Sequence, residues 1–151
     1  MSLLHGKKGV VMGVANDHSI AWGISKKLSD EGAELCFTYQ GESLHRRVKP
    51  LADSIKSNFL IECDVLKEGS VKKSFDEIGN HWGEIDFVLH SIAFSEKEEL
   101  KGKYVNCSRE NFLNSLDISA FSFTRTAKSA LPLMSSIGGS LLTLSLSLIH
   151  I

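Results

Sequence analysis

The residues in this sequence that could do chemistry lie where predicted strands end. At the first of these places, Gly13 ends the apolar run Gly9–Met12, and a polar loop leads into a helical pattern that begins at Ile20. A glycine at a strand end lets the backbone approach a ligand closely, and the N-terminus of the following helix offers unpaired N–H groups to a phosphate. The stretch Val10–Ser25 therefore predicts a strand, a loop and a helix that bind a nucleotide.

This first loop lacks most of the common dinucleotide fingerprint. That fingerprint has glycines at G-x-G-x-x-G, whereas only Gly13 is in register here. The stretch Val14–His18 replaces the second glycine, and Ala21 stands where the third would pack. By itself the loop is also compatible with an ordinary strand-to-helix connection, so the other strand ends are needed to decide.

The remaining strand ends carry polar groups that suit a dinucleotide. Gln40 follows the second predicted strand, where an acidic residue is usual for NAD and a basic one for NADP. Gln40 is neither, and Arg46 and Arg47 lie a turn or more into the next helix, so we expect NADH and leave NADPH open. Asp64 follows the third strand, either as a turn or cap residue or as an acceptor for the adenine amino group. Ser19 is expected to cap the first helix, to contact the pyrophosphate, or to do both.

The elements that position these residues alternate regularly along the chain. Short apolar strands at 9–12, 33–39, 59–63 and 85–90 are separated by amphipathic helical patterns, and a further strand begins at 140. This alternation predicts an α/β fold, a doubly wound parallel sheet of the Rossmann type that is truncated after about five strands. Pro50 is expected to kink or restart the second helix.

A long polar loop and a long helix follow the fourth strand. The loop runs from Ser91 to Cys107, and Ser108 is the expected N-cap of the helix. Apolar residues at helical spacing predict one apolar face of that helix, made of Phe112, Leu116, Ala120, Phe123, Ala127, Leu131 and Met134.

Composition excludes several classes of function. The 151 residues carry 17 Lys and Arg against 18 Asp and Glu, a net charge of -1 without a basic run, so nucleic acid is not an expected partner. No apolar run has membrane-spanning length and the N-terminus lacks the pattern of a signal peptide, so we expect a soluble, cytoplasmic protein without a membrane partner. The three cysteines are expected to be reduced, and the six histidines show no metal-ligand spacing.

Four motifs together resemble one family. The runs G-V-A-N-D-H-S-I-A-W-G-I, F-T-Y-Q, C-D-V and H-S-I-A-F-S are similar to the bacterial NADH-dependent enoyl-[acyl-carrier-protein] reductases, a divergent branch of the short-chain dehydrogenase/reductase superfamily. The resemblance covers Leu4 to about Ser145. It implies hydride transfer from NADH to the β-carbon of a trans-2-enoyl thioester carried by acyl carrier protein, in type II fatty acid synthesis, by a homotetramer.

The resemblance also assigns residues to the site. Ser95 would lie beside the enoyl thioester, where family members often have Ala. The residues implied to line the cofactor site are Gly13, Ser19, Ile20, Gln40, Asp64, Val65, Ser91 and Ile92.

The sequence departs from the family in its catalytic groups. The family stabilises the enolate with a Tyr and a Lys in a Tyr-x6-Lys arrangement downstream of the fifth strand. The tyrosines here are Tyr39 and Tyr104, the last lysine is Lys128, and neither tyrosine has a lysine at that spacing. We interpret Tyr104 as a packing aromatic of the loop, so the catalytic pair is missing from this sequence.

These departures define the expected domain organisation. We expect residues 1–145 to be the N-terminal part of a single dinucleotide-binding domain, inactive by itself, and residues 146–151 to be a non-native tail, because they replace the family's continuation. Two alternatives stay open. Another short-chain dehydrogenase/reductase would have T-G-x-x-x-G-x-G and N-A-G where this chain has V-A-N-D-H-S-I and S-I-A, and a non-catalytic NAD(P)-binding sensor module would suit the missing Tyr and Lys.

Overall fold

A parallel five-stranded sheet forms the centre of the computed structural model, which describes residues 2–145. The expectation for residues 146–151 lies outside the described residues. The strand order is β3-β2-β1-β4-β5, the doubly wound order predicted from the alternation of strands and helices. The strands are β1 (Lys8–Met12), β2 (Glu34–Tyr39), β3 (Phe59–Glu62), β4 (Phe87–His90) and β5 (Ser140–Thr143).

Helices cover both faces of this sheet. The helices are α1 (Ile20–Asp30), α2 (Gly41–Ser54), α3 (Ser70–Trp82), α4 (Arg109–Leu116) and α5 (Ser122–Ala130). A π-helical turn, Asp117–Phe121, joins α4 to α5, and short 3-10 turns cover Lys97–Leu100, Tyr104–Asn106 and Leu131–Leu133. Within residues 2–145, no helix combines the length and the apolar character needed to cross a membrane.

Pro50 does not restart α2, which was one of the two outcomes expected from the sequence. The helix runs from Gly41 to Ser54 with Pro50 inside it. Val48 and Ala52, on either side of the proline, are fully buried. Their packing against the sheet stabilises the helix and offsets the backbone hydrogen bond that proline cannot make.

The core has two layers because successive strand residues point to opposite faces of the sheet. Val10 and Met12 of β1 pack in the layer that contains Phe75 and Ile78 of α3. Val11, between them, packs in the other layer with residues of α1 and α2, including Ala21, Trp22, Val48 and Ala52. Both faces of the sheet are therefore covered, as the apolar strands predicted.

The segment from α4 to α5 buries a different face from the one that its apolar spacing predicted. Phe112, Leu116 and Leu131 of the predicted face are exposed. Phe112 and Leu116 precede the π-helical turn, which widens the helix and changes the direction of the side chains that follow it, such as Leu131. The buried residues are small or polar with one exception, and they are Asn111, Ile118, Ser122, Thr126 and Ala130.

Candidate functional site

A cleft of about 440 Å³ lies at the carboxyl edge of the sheet. It spans the point where the strand order reverses between β1 and β4, the place where doubly wound folds bind ligands. Its walls are formed by residues that follow four strands and by the α4 segment, which is α4 together with the π-helical turn, residues 109–121. These wall residues are Gly13, Val14, Ala15, Thr38, Tyr39, Gln40, Leu44, Cys63, Asp64, Val65, Leu66, Ser91, Ile92, Ala93, Phe94, Asn114 and Ile118.

The structure brings most of the predicted site residues to this one cleft. Ser19, Ile20 and Ser95 are not among the residues that line it. The predicted residues that do line it are Gly13, Gln40, Asp64, Val65, Ser91 and Ile92. Sequence reasoning missed Asn114 and Ile118, although their separation of four residues on a helix places both on one face.

Gly13 lets the ends of β1 and β4 meet. Its φ angle is +100°, and a Cβ atom built on it would lie 1.9 Å from the carbonyl oxygen of Ser91. The backbone N–H of Ser91 donates to the carbonyl of Met12 at 2.9 Å, so the two strand ends are hydrogen-bonded at this point. Any side chain at position 13 would push Ser91 away from the strand that it joins.

Ser19 closes the loop before α1 instead of capping the helix with its side chain. Its hydroxyl oxygen accepts hydrogen bonds from the N–H groups of Ala15 and Asn16 at 3.0 and 3.1 Å. The side chain makes no hydrogen bond to the first turn of the helix, which corrects the expectation of a side-chain cap. The hydroxyl is engaged because the loop, without glycines, needs a side chain to bind its amides.

The N-terminus of α1 still offers donors to a ligand. The N–H groups of Trp22 and Gly23 donate to the carbonyl of Ser19, whereas those of Ile20 and Ala21 have no acceptor in the part of the chain that the structure describes. Two free amides at a helix N-terminus favour an anionic group. The side chain of Ile20 is 70% exposed beside them, where a bound molecule would cover it.

Asp64 and Gln40 offer polar groups at the other end of the cleft. The Oδ1 atom of Asp64 accepts from the N–H of Leu66 at 2.9 Å, so the predicted turn role is present. Its Oδ2 atom accepts no hydrogen bond from residues 2–145 and is left for a ligand. Gln40 is exposed at the start of α2 and makes no side-chain cap hydrogen bond.

The cleft offers hydrogen bonds and apolar surface but no activated nucleophile. Asp64 is the one charged residue among the described residues that line it. Burial raises the pKa of the Cys63 thiol, and the hydroxyls of Ser74 and Ser70 oppose that effect without cancelling it. Burial also raises the pKa of Tyr39, and the negative charges of Glu62 and Glu42 add to the rise. Both groups are protonated at neutral pH, which suits binding better than nucleophilic catalysis.

Ser95 and Tyr104 lie in the loop after β4, away from the cleft walls. The Ser95 hydroxyl accepts a hydrogen bond from Nδ2 of Asn111 at 3.0 Å, and Oδ1 of Asn111 accepts from the N–H of Glu96 at 2.9 Å. Tyr104 is 75% exposed, so it is not the packing aromatic that we expected. Three cysteines are free thiols, and no three His, Cys, Asp or Glu of the described residues are grouped to hold a metal.

Comparison with known proteins gives the family. The profile of the family described as Enoyl-(Acyl carrier protein) reductase matches residues 13–150. The chain belongs to this reductase family. The enoyl-[acyl-carrier-protein] reductase [NADH] 2 of Rhizobium meliloti is 57% identical over 143 residues, which are 95% of this chain and 53% of that protein. The chain thus spans about half the length of the curated relatives that it matches.

Solved structures of reductases in this family have the same fold. The enoyl-acyl-carrier-protein reductase of Anaplasma phagocytophilum in complex with NAD superposes with a TM-score of 0.90 at 51% identity, covering 94% of this chain and 54% of that one. The Bacillus cereus enoyl-acyl carrier protein reductase with NADP+ and indole naphthyridinone superposes with a TM-score of 0.92 at 46% identity, covering 96% and 57%. The doubly wound α/β prediction is confirmed.

Proposed function

We propose that this chain is the coenzyme-binding part of an NADH-dependent enoyl-[acyl-carrier-protein] reductase. The observation that carries the proposal is the cleft at the reversal of strand order, where six predicted residues meet beside the free amides of α1. A named relative at 57% identity and a relative crystallised with NAD support it.

The residues of the cleft fit a dinucleotide from end to end. The amides of Ile20 and Ala21 would hold the pyrophosphate at the N-terminus of α1. Gln40 would bind the adenosine ribose, and Oδ2 of Asp64 would accept from the adenine amino group while Val65 packs against the ring. Ser91 and Ile92 would flank the nicotinamide half. When bound, the reduced nicotinamide supplies the hydride.

The charges around the cleft favour NADH over NADPH. No Lys or Arg is among the described residues that line the cleft. Arg46, one of the two arginines of α2, donates from Nε to the Glu42 carboxylate at 3.0 Å. Inside the cleft, a 2′-phosphate near Gln40 would therefore meet no cationic side chain.

The complete protein would reduce a trans-2-enoyl thioester on acyl carrier protein. The described residues hold no Tyr and Lys at the family's catalytic spacing, so we propose that residues 1–145 bind coenzyme without turnover. We place the protein in the cytoplasm, where free thiols such as that of Cys107 stay reduced.

The exposed side of the α4 segment supports assembly of the complete protein as a homotetramer. Phe112, Leu116 and Phe121 are 42%, 47% and 54% exposed, and they belong to one helical segment. Large apolar side chains grouped on a helix surface are typical of subunit contacts. A second copy of this segment is the partner that we propose for them.

A titration with NADH tests the coenzyme proposal. We expect Asp64→Asn to weaken NADH binding about threefold to tenfold, because it keeps the oxygen that accepts from Leu66 and turns the other acceptor into a donor. Asp53→Asn, on the exposed side of α2, is the matched control and should bind like the wild type. NADPH should bind more weakly than NADH. Equal affinities for all three proteins would refute the adenine contact.

Turnover by the complete protein separates the reductase from a sensor module. A protein extended to the full length of the relatives should oxidise NADH in the presence of a crotonyl thioester. The 151-residue chain should bind NADH without oxidising it. Binding without turnover by the complete protein would favour the sensor module.

A further inference from the structure

A fully buried histidine ends β4 immediately before two residues of the cleft. The His90 side chain is 0% exposed, and Ser91 and Ile92 follow it. Its Nε2 atom lies 2.7 Å from the hydroxyl oxygen of Ser122, and its Nδ1 atom lies 3.1 Å from the hydroxyl oxygen of Thr143. Neither the coenzyme contacts nor the proposed chemistry uses this imidazole.

The hydrogen bonds around His90 fix the position of its proton. The Ser122 hydroxyl lies 2.6 Å from the carbonyl oxygen of Ile118, and a carbonyl cannot donate, so Ser122 donates its only proton there. Ser122 can then only accept from the imidazole, and Nε2 of His90 must carry a hydrogen. In the neutral ring Nδ1 is an acceptor, and the Thr143 hydroxyl donates to it.

The environment of the ring favours the neutral form. Burial lowers the pKa of His90 and outweighs the opposing effect of a backbone hydrogen bond. The ring of Phe123 packs against the imidazole with centroids 5.4 Å apart. The charged residues of the adjacent helix segment, Asp117 and Arg125, pair with each other at 2.7 Å.

Three elements of the fold meet at this one side chain. Ser122 begins α5 directly after the π-helical turn, and Ile118 in that turn lines the cleft. Thr143 ends β5, which pairs with β4 alone among the described strands and has all four residues exposed. The N–H of Leu144 also donates to the His90 carbonyl at 3.1 Å.

We propose that His90, with its proton on Nε2, is a positioning residue that ties the end of β5 and the π-helical turn to the strand end that carries Ser91 and Ile92. Its effect on coenzyme binding rests on the proposed function. This indirect role resembles the way that outer hydrogen-bond partners orient groups that contact a ligand.

Two substitutions at Thr143 test the proposal without altering the histidine. Thr143→Val keeps the shape of the side chain and removes its hydroxyl, whereas Thr143→Ser keeps the hydroxyl. In ¹⁵N NMR spectra of the imidazole, the wild type and Thr143→Ser should show the Nε2–H tautomer alone. In Thr143→Val, the His90 imidazole should exchange between its Nε2–H and Nδ1–H tautomers or show a changed pKa. This variant should also bind NADH about threefold to tenfold more weakly.

The two readouts separate this inference from the coenzyme proposal. An Nδ1–H tautomer in the wild type, or Thr143→Val with wild-type imidazole signals, would overturn the positioning role. The positioning role is supported if the wild type shows the Nε2–H tautomer and if Thr143→Ser binds NADH more tightly than Thr143→Val does. If the wild type binds no NADH at all, the coenzyme proposal fails, while the tautomer measurement still decides the role of His90 in joining the strands.

Discussion

At the scale of single residues, polar side chains shape the loop after β1, which glycines shape in the common dinucleotide fingerprint. The hydroxyl of Ser19 accepts from two loop amides, and Oδ1 of Asn16 accepts from the N–H of His18 at 2.9 Å. These bonds satisfy amides that a glycine-rich loop would direct at a phosphate. The anion site is therefore expected to rest on the amides of α1 more than on the loop.

The contact between Gly13 and Ser91 predicts that Gly13→Ala destabilises the fold. The added methyl group would clash with the backbone carbonyl of Ser91, and alanine would have to adopt a positive φ angle that it rarely takes. We therefore expect the free energy of unfolding to fall by about 3 kcal/mol. Urea denaturation measures this. Gly23→Ala is the matched control, because Gly23 is helical and a Cβ there meets nothing within 4 Å. The control should gain up to about 1 kcal/mol, and equal stability of the two variants would contradict the prediction.

At the scale of elements, side-chain hydrogen bonds hold the loop after β4 against the start of α4. The Ser108 side chain accepts from the N–H of Asn111 at 3.1 Å, which confirms the predicted N-cap. The Glu99 carboxylate accepts from the N–H and the hydroxyl of Ser108 at 2.8 and 2.7 Å. These bonds lower the pKa of Glu99. These hydrogen bonds fix the C-terminal part of the long loop against α4.

The buried side chain of Asn111 predicts a local effect of Asn111→Ala on this loop. The substitution removes the acceptor of the Glu96 N–H and the donor to Ser95, so hydrogen exchange should become faster across residues 95–107. We expect an overall loss of stability of about 1–3 kcal/mol. Asn106→Ala, an exposed change in the same loop, should leave the exchange pattern unaltered. Faster exchange in both variants would argue against the Asn111 contacts as its cause.

An ion pair at the opposite edge of the sheet joins β1 to β4 and predicts a pH dependence. Burial raises the pKa of Asp86, but hydrogen bonds from the Lys7 ammonium and the Lys8 N–H, together with their positive charges, outweigh it, so the pKa is lowered from 3.8. A lowered folded-state pKa contributes stability that is present above the unfolded-state value and is lost as the pH falls through the folded-state value.

We therefore expect Asp86→Asn to be less stable than the wild type at pH 7, and the difference to shrink below about pH 4. The difference at pH 7 should be about 0.5–1 kcal/mol, since the Lys7 side chain is 44% exposed and solvent screens the pair. Thermal denaturation across pH measures it. Asp30→Asn, at the exposed end of α1, is the control, and a difference for Asp86→Asn that grows as the pH falls would have the wrong sign.

At the scale of the whole molecule, the described part of the chain leaves two apolar surfaces without cover. One is the outward side of the α4 segment, with Phe112, Leu116 and Phe121, and the other is β5, whose Leu141 and Leu142 are exposed. The chain spans 53% of the length of the Rhizobium meliloti relative. We assign the helix surface to a second copy, as proposed above.

Self-association through the helix surface predicts the effect of Leu116→Glu. A charge in the centre of an apolar contact is costly to desolvate, so the complete protein should shift from an oligomer towards monomers in sedimentation velocity. Leu3→Glu is the control, because Leu3 is exposed at the N-terminal end of the chain, beside the end of α1 and outside the helix surface that carries Leu116. An unchanged oligomer in Leu116→Glu would place the contact elsewhere.

The sequence by itself determined the architecture and the general position of the site. Apolar runs alternating with amphipathic helices predicted the parallel sheet, and the ends of parallel strands meet at one edge whatever their loops contain. Gly13, Gln40, Asp64 and Ser91 could therefore be assigned to one cleft before any coordinates. These inferences depend on local periodicity, which the sequence carries directly.

The tertiary structure alone decided which partners the polar side chains take. Ser19 binds its own loop, and Ser95 binds Asn111. His90 joins Ser122 and Thr143, which lie 32 and 53 residues further along the chain. The structure also places Leu116 on the outward side of α4, where it is 47% exposed. A hydroxyl or an imidazole can form a hydrogen bond with many different groups, and packing between distant segments determines which of them lies within reach. Local sequence spacing therefore does not predict these partners.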